Sequence, residues 1–284
     1  MLRLRTIAEV RSIVEGWKHE GLMIGLVPTM GALHEGHLAL VDRSRALSDR
    51  TIVSIFVNPT QFGPGEDFSR YPRQEDRDFA LLEARGCDAV FSPGVEEMYP
   101  DAAGGAADIA TTVTVDGLSD RLCGVHRPGH FSGVATVVLK LLLIVSPHVA
   151  VFGEKDYQQL QVIRRMVRDL NVPVVIEGVA TVREPDGLAM SSRNAYLAPD
   201  LRSKAPLLYA TLSSTAAAIR NGADPAGAVE KAATRLLEGG FRSVDYVTLV
   251  DGQSLETLQT FYEPARLLAA ARLGTTRLID SVPV

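Results

Sequence analysis

A chain of 284 residues that is 46% hydrophobic and 22% charged has the make-up of a folded globule and excludes intrinsic disorder, and its length favours two domains over a single core. A formal charge of -5 predicts a mildly acidic surface, which disfavours adhesion to nucleic acid or membrane but leaves room for a local basic cleft. The two cysteines, Cys87 and Cys123, exclude a disulfide framework and a Cys-x-x-Cys site, so a reducing, cytoplasmic compartment is expected.

Residues 2–20 set Ile7, Val10, Ile13, Val14 and Trp17 on one face, which predicts an amphipathic helix stopped by Gly21. The same stretch lacks the continuous apolar region of a secretory signal, so no export address is expected in it. An apolar strand over residues 22–27 runs into a turn at Gly31 and a helix that starts near His34 and ends near Asp49. Residues 51–57 are β-branched and nearly all apolar, as a strand covered on both faces requires, and Asn58-Pro59 breaks it. A Gly/Pro-rich loop at 62–71, a helix at 74–85 and a short strand at 88–91 follow. Residues 101–110 form an alanine- and glycine-rich surface segment, 111–115 a strand outside the main sheet, and 121–130 a basic loop.

The helix over 131–146 holds the most apolar run, which Lys140 interrupts and which is well short of the roughly 20 residues needed to cross a bilayer. A strand at 149–152, a polar turn at 153–156, a helix at 157–170 and a strand at 172–176 repeat the β-α-β alternation, which predicts an α/β fold with an open parallel sheet. The pattern changes around 179–183, dividing the chain into domains 1–181 and 182–284. Helices at 201–221 and 226–238, then strands near 244–250 and 266–281, make the second a smaller α+β unit, a lid or a dimer surface.

His34 and His37, three apart at a helix start, share one face beside backbone N–H groups that have no intrahelical partner. Such a place attracts anions. Gly31 permits a turn closed to most residues, and Gly36 clears the approach to the first helical turn. Alone, the pair also fits a surface accident, a zinc half-site or a capping feature. In open parallel sheets ligands occupy the crevice beyond the carboxyl ends of the strands. His34 and His37, Asn58 and Gln61, and Lys155 and Asp156 each follow such an end. Taken singly, Asn58, Gln61 and Asp156 fit the plainer reading of polar loop groups; the shared rim raises the functional one. No P-loop and no dinucleotide fingerprint is present. Imidazole donors with Lys155 and Arg193 suit the charge that grows on a phosphorus under attack. The neutral amides of Gln61 and Gln159 can orient a carboxylate or hydroxyl without neutralising it.

Five blocks carry a family resemblance in order and spacing: Pro28-Thr-Met-Gly-Ala-Leu-His-Glu-Gly-His37, Phe56-Val-Asn-Pro-Thr-Gln-Phe62, His126-Arg-Pro-Gly-His-Phe131, Gly153-Glu-Lys-Asp-Tyr-Gln-Gln159 and Asp186-Gly-Leu-Ala-Met-Ser-Ser-Arg-Asn194. From the first strand to Leu197 the chain resembles the pantothenate synthetases; beyond that the similarity is loose. The resemblance implies a Rossmann-like, nucleotidylyltransferase-type fold in which a His-x-Gly-His turn and a KMSKS-type loop embrace ATP. It implies a two-step ligation: pantoate attacks the α-phosphorus of ATP, giving pantoyl adenylate and pyrophosphate, and β-alanine then displaces AMP to form pantothenate. Magnesium accompanying the triphosphate and a homodimer are implied as well.

By position, the resemblance puts Met30, Gly31, Ala32, Leu33, His34, Glu35, Gly36 and His37 along the ATP site. His34 and His37 fall on the phosphates, with His37 as proton donor. Gly153, Glu154, Lys155 and Asp156 meet ribose and phosphates, Val182 meets adenine through its backbone, and Met190, Ser191, Ser192 and Arg193 close over the nucleotide. Gln61 and Gln159 hold pantoate, Gln61 also lying near β-alanine; Asn58 supports that pocket, with Arg127 and Tyr71 as further contacts. The 190–193 loop has no lysine where KMSKS loops carry one or two, so Lys155 and Arg193 supply the positive charge. No metal-contacting residue is assigned; Glu75, Asp76 and Asp78 are near the expected region but read as solvated helix charges. The rival readings are a plain nucleotidylyltransferase, a zinc hydrolase using His34, His37, His126 and His130, and a non-catalytic ATP-binding module.

Overall fold

The computed structural model describes residues 1–100 and 109–284. The chain begins with β1 (Leu2–Leu4), α1 (Ile7–His19), β2 (Ile24–Thr29), α2 (Glu35–Leu47), β3 (Arg50–Ile55), α3 (Glu75–Ala84), β4 (Ala89–Phe91), the one-turn α4 (Val95–Met98) and α5 (Cys123–His126), and α6 (His130–Val145). It continues with β5 (Val149–Gly153), α7 (Tyr157–Asp169) and β6 (Val175–Val179). The six strands form one parallel sheet in the order β1-β4-β3-β2-β5-β6. After β2 the chain travels outward through β3 to β4 and then returns to the opposite side at β5. The order therefore reverses between β2 and β5, and a crevice opens there at the carboxyl edge. Ile24, Leu26, Val27, Ile52, Val53, Ala150 and Val151 are fully buried in the middle strands, which is why their sequences are continuously apolar rather than alternating. Helix α6 buries eleven of its residues against this sheet and α7. Among the described residues no helix is long and apolar enough to cross a membrane.

After β6 come α8 (Pro199–Arg202), α9 (Leu207–Arg220) and α10 (Pro225–Glu238), then β7 (Ser243–Asp251), β8 (Ala265–Leu273) and β9 (Thr276–Pro283), an antiparallel sheet in the order β7-β8-β9. Leu208, Leu212, Leu236, Leu267 and Leu273 belong to a separate buried cluster between these helices and strands.

Several expectations shift. The first helix starts at Ile7, not Leu2: residues 2–4 are an edge strand beside β4, and Thr6 caps the helix in a reciprocal box with Glu9, the Thr-x-x-Glu signal of a helix start. The expected strand at 172–176 forms three residues later, because Asn171 turns the chain with a φ of 53° and Pro173 has no N–H to give a ladder. Residues 111–115 form no strand; Val113 N–H bonds the Thr136 hydroxyl instead. The basic loop at 121–130 contains α5, and the helix expected over 201–221 divides into α8 and α9 at Pro206. Most of the 101–110 segment lies outside the described residues.

Candidate active site

The turn after β2 carries the imidazoles. Gly31 and Ala32 take left-handed φ values of 77° and 51°; a side chain at Gly31 would stand 2.9 Å from Asp78 Oδ2, so only glycine fits there. The turn is held by the Asp78 carboxylate, which accepts the N–H groups of Ala32 and Leu33, each at 2.8 Å. Asp78 is only 1% exposed and is not the solvated charge expected from its acidic helix. Burial pushes its carboxyl up, the two amide bonds partly offsetting that. Glu75 is paired with Arg5, and Asp76 faces solvent.

His34 caps α2: its Nδ1 accepts Gly36 N–H at 3.1 Å. The proton of the neutral ring must then sit on Nε2, so His34 presents a donor. Burial, then the nearby Lys155 ammonium, brings its pKa down to about 4. The His37 ring lies 4.0 Å away, and burial, His34 and Lys155 bring it down to about 3. Both are neutral at physiological pH. The capping feature is therefore present: His34 takes the Gly36 N–H with its ring and the His37 N–H, at 2.8 Å, with its carbonyl, so the imidazoles rather than free backbone amides are the donors at this helix start.

A cavity of about 210 Å³ opens at the β2/β5 reversal. Met30, His34, Gly36 and His37 reach it from β2, Gly153, Lys155, Asp156 and Gln159 from β5, and Val182, Met190, Ser191, Ser192 and Arg193 from the segment after β6. Gln61, Tyr71 and Arg127 complete the set of sequence candidates at its wall. The structure therefore brings the two imidazoles and Lys155 to one space. Six candidates do not line it. Gly31 and Ala32 form the turn behind the imidazoles, Leu33 is 2% exposed in the core, and Glu35 turns outward to Arg85. Glu154 is taken by Arg266 at 2.7 Å, and Asn58 sits behind Gln61 at 3.1 Å.

Arg193 is not a free cation. Asp67 holds its guanidinium by two bonds of 2.9 and 2.7 Å, and Glu66 holds Arg127 in the same way. Burial alone would push both carboxyls up, but the paired guanidiniums override it and hold them below the usual range. Both acids come from the 62–71 loop, whose Gly/Pro content disguises them as ordinary loop polarity. Lys155 lies 3.6 Å from Asp156. His130, given no role at the ATP or pantoate sites by the resemblance, reaches the cavity wall. Its Nδ1 donates to Gln61 O at 2.8 Å and its Nε2 faces an Arg127 N–H at 3.0 Å, an arrangement only the neutral ring satisfies. Burial and Arg127 bring it down to about 4. His126 packs instead against Tyr246. Among the described residues no three His, Cys, Asp or Glu side chains gather to hold a metal ion, so the zinc-hydrolase reading finds no site. His37 Nδ1 and Thr181 Oγ1, both at the cavity, are buried without a partner among the described residues.

A parallel sheet whose reversal point gathers helix-start imidazoles, a lysine and a polar closing loop defines a nucleotide-using α/β enzyme of the His-x-Gly-His kind. The chain belongs to the pantoate-beta-alanine ligase family, whose model matches residues 3–283. It is 57% identical over 281 residues to the pantothenate synthetase of Paramagnetospirillum magneticum, covering 99% of this chain and 97% of that one. The crystal structure of pantothenate synthetase from Thermus thermophilus superposes with a TM-score of 0.91 at 48% identity, covering 99% of both chains. That of the Francisella tularensis pantoate-beta-alanine ligase, complexed with beta-gamma ATP and beta-alanine, gives 0.83 at 33% identity, covering 100% of this chain and 97% of that one.

Proposed function

We infer that this chain condenses pantoate with β-alanine at the expense of ATP, through an enzyme-held pantoyl adenylate. The observation that carries the assignment of roles is the convergence of His34, His37 and Lys155 on one cavity at the sheet reversal. In the first step a pantoate carboxylate oxygen attacks the α-phosphorus and pyrophosphate leaves. Charge grows on the phosphoryl oxygens, and neutral imidazole N–H donors with the Lys155 ammonium stabilise it without reorganising. Because His37 is neutral before substrate arrives, its first contribution is a hydrogen bond rather than a transferred proton. In the second step the β-alanine amine attacks the acyl carbon and AMP leaves, a far better leaving group than hydroxide. Gln61 and Gln159 orient the acid, and the 190–193 loop closes over the nucleotide.

Arg193 and Arg127 act after Glu66 and Asp67 give them up. Magnesium fits as an ion carried mainly by the triphosphate, which needs one or two protein carboxylates at most; Asp156 is the carboxylate at the cavity wall. The division at residues 181/182, with the C-terminal part as a lid, a two-fold assembly and a cytoplasmic location belong to the same proposal. A single protomer in sedimentation at assay concentration would remove the dimer.

The test is pyrophosphate release. With ATP and pantoate alone, one equivalent per site should appear in a burst, and adding β-alanine should start continuous turnover with matching AMP. His37→Ala should abolish the burst with the fold retained. Pyrophosphate release that ignores pantoate, or AMP formation independent of β-alanine, would overturn the reading and favour a plain nucleotidylyltransferase.

A further inference from the structure

Behind Gln61 lies a hydrogen-bond chain whose direction can be fixed from its ends. Asn58, 1% exposed, has its Oδ1 beside Thr60 N at 3.4 Å, Thr60 Oγ1 at 3.0 Å and Tyr99 Oη at 2.9 Å. Its Nδ2 lies 3.1 Å from Gly133 O and 3.1 Å from Gln61 Oε1. A backbone N–H can only donate and a carbonyl can only accept, so Thr60 and Gly133 leave Asn58 one orientation. Both its amide hydrogens are then committed, the second to Gln61. Gln61 must answer with its oxygen, which turns its own NH₂ outward beside Met30 Sδ at 3.0 Å, a weak acceptor that an incoming oxygen can outcompete. The Tyr99 hydroxyl, 4% exposed and kept protonated by burial, donates the bond that completes the Asn58 oxygen.

We propose that Tyr99, which lies outside the cavity, is a positioning residue: with the direction of the Asn58 amide set by Thr60 and Gly133, its hydroxyl holds that amide in place and through it keeps Gln61 aimed as a hydrogen-bond donor, so that this subsite selects an acid bearing an accepting oxygen. The proposal rests on the reading that Gln61 holds pantoate. Pantoate supplies such an oxygen in its carboxylate and in its hydroxyls; an acid offering only a donor or a methyl group at that place leaves the amide unanswered. Tyr99 has no polar role in the cavity itself, and its ring packs against Phe56 and beneath the Lys140 ammonium, contacts that phenylalanine preserves.

The experiment is a two-residue cycle read as KM for pantoate, with KM for ATP as the internal reference and thermal melting to establish folding. Tyr99→Phe should raise KM for pantoate roughly three- to tenfold, the effect of one neutral hydrogen bond, and leave KM for ATP unchanged. Gln61→Ala should raise it further, and adding Tyr99→Phe to Gln61→Ala should change nothing more, because the residue through which Tyr99 acts is gone. A parental KM for pantoate in Tyr99→Phe overturns the proposal. So does an equal further rise in the Gln61→Ala background, or a KM for ATP that rises in step. If Gln61→Ala itself leaves KM for pantoate unchanged, the pantoate assignment falls and the proposal with it; if only Tyr99→Phe is silent, the assignment stands and the positioning role alone is lost.

Discussion

The three histidines at the cavity have pKa values driven below their ordinary 6.5, to about 4 for His34 and His130 and about 3 for His37. An unfolded chain takes up these protons as the pH drops through about 6.5, while the folded chain resists until it is far more acidic. Stability is therefore full above pH 6.5 and declines as pH falls toward 4. Glu66 and Asp67, held low, add their loss only in the carboxylate range below that. Urea midpoints should accordingly drop between about pH 7.5 and about pH 5, and His37→Gln should flatten the drop; parallel curves would show that the ring is not the source. The imidazoles themselves are legible because residue type, spacing and a neighbouring glycine all speak in the sequence. Asp78 is not: its carboxylate looks like its neighbours Glu75 and Asp76, and only the placement of α3 beside the Gly31–Leu33 turn sends it inward. Tyr99 and Glu66 are hidden for the same reason, since their partners are distant in the chain.

Among the elements, α6 packs closely on the 3₁₀ turn Pro59–Gln61, whose last residue reaches the cavity wall. That packing depends on Gly133, where an added methyl would stand 2.5 Å from the Thr60 carbonyl carbon and 2.8 Å from the Gln61 nitrogen, backbone atoms that cannot swing aside. Gly133→Ala should cost about 1–3 kcal/mol by overpacking and should raise KM for pantoate more than KM for ATP, because the turn it displaces bears Asn58 and Gln61. Equal effects on both constants would place the strain elsewhere. Strands β2, β3 and β5 and helices α2, α6 and α7 are readable from their apolar runs and helical periods. The three-residue β1 is not, since so short an edge strand has no period of its own and its helical neighbour absorbs it; the Thr6-x-x-Glu9 box is the available signal. The late start of β6 follows from Asn171 and Pro173, which interrupt an otherwise uniform valine-rich stretch.

At the scale of the molecule, the antiparallel sheet grips the turn that carries Lys155. Arg266 of β8 pairs with Glu154 at 2.7 Å and stacks 3.9 Å over the Tyr157 ring. The Ser281 hydroxyl of β9 donates to Glu154 O at 3.0 Å, and Tyr157 Oη donates to Gly252 O at 2.7 Å. Asp280 takes Arg183, on the segment leading from one sheet to the other, by a bidentate pair. Arg266→Ala should therefore lower kcat roughly tenfold through misplacement of the lysine and lower the melting temperature as well, because Glu154 loses its partner; a parental kcat in protein still folded at the assay temperature would reduce the contact to packing. The sequence shows the second sheet as a separate unit, but no local pattern reveals that its strands steady a residue more than a hundred positions earlier.

The pairing of Glu66 with Arg127 and of Asp67 with Arg193 has a thermodynamic consequence of its own. If these guanidiniums take the ligand as proposed above, its entry becomes an exchange of one anion for another, and they trade partners instead of shedding a hydration shell. Much of the desolvation cost of those two cations is already met in folding. The ionic-strength dependence of nucleotide affinity should then be gentle, because Lys155 also has a carboxylate neighbour, Asp156 at 3.6 Å, and little unpaired charge is left to attract at long range.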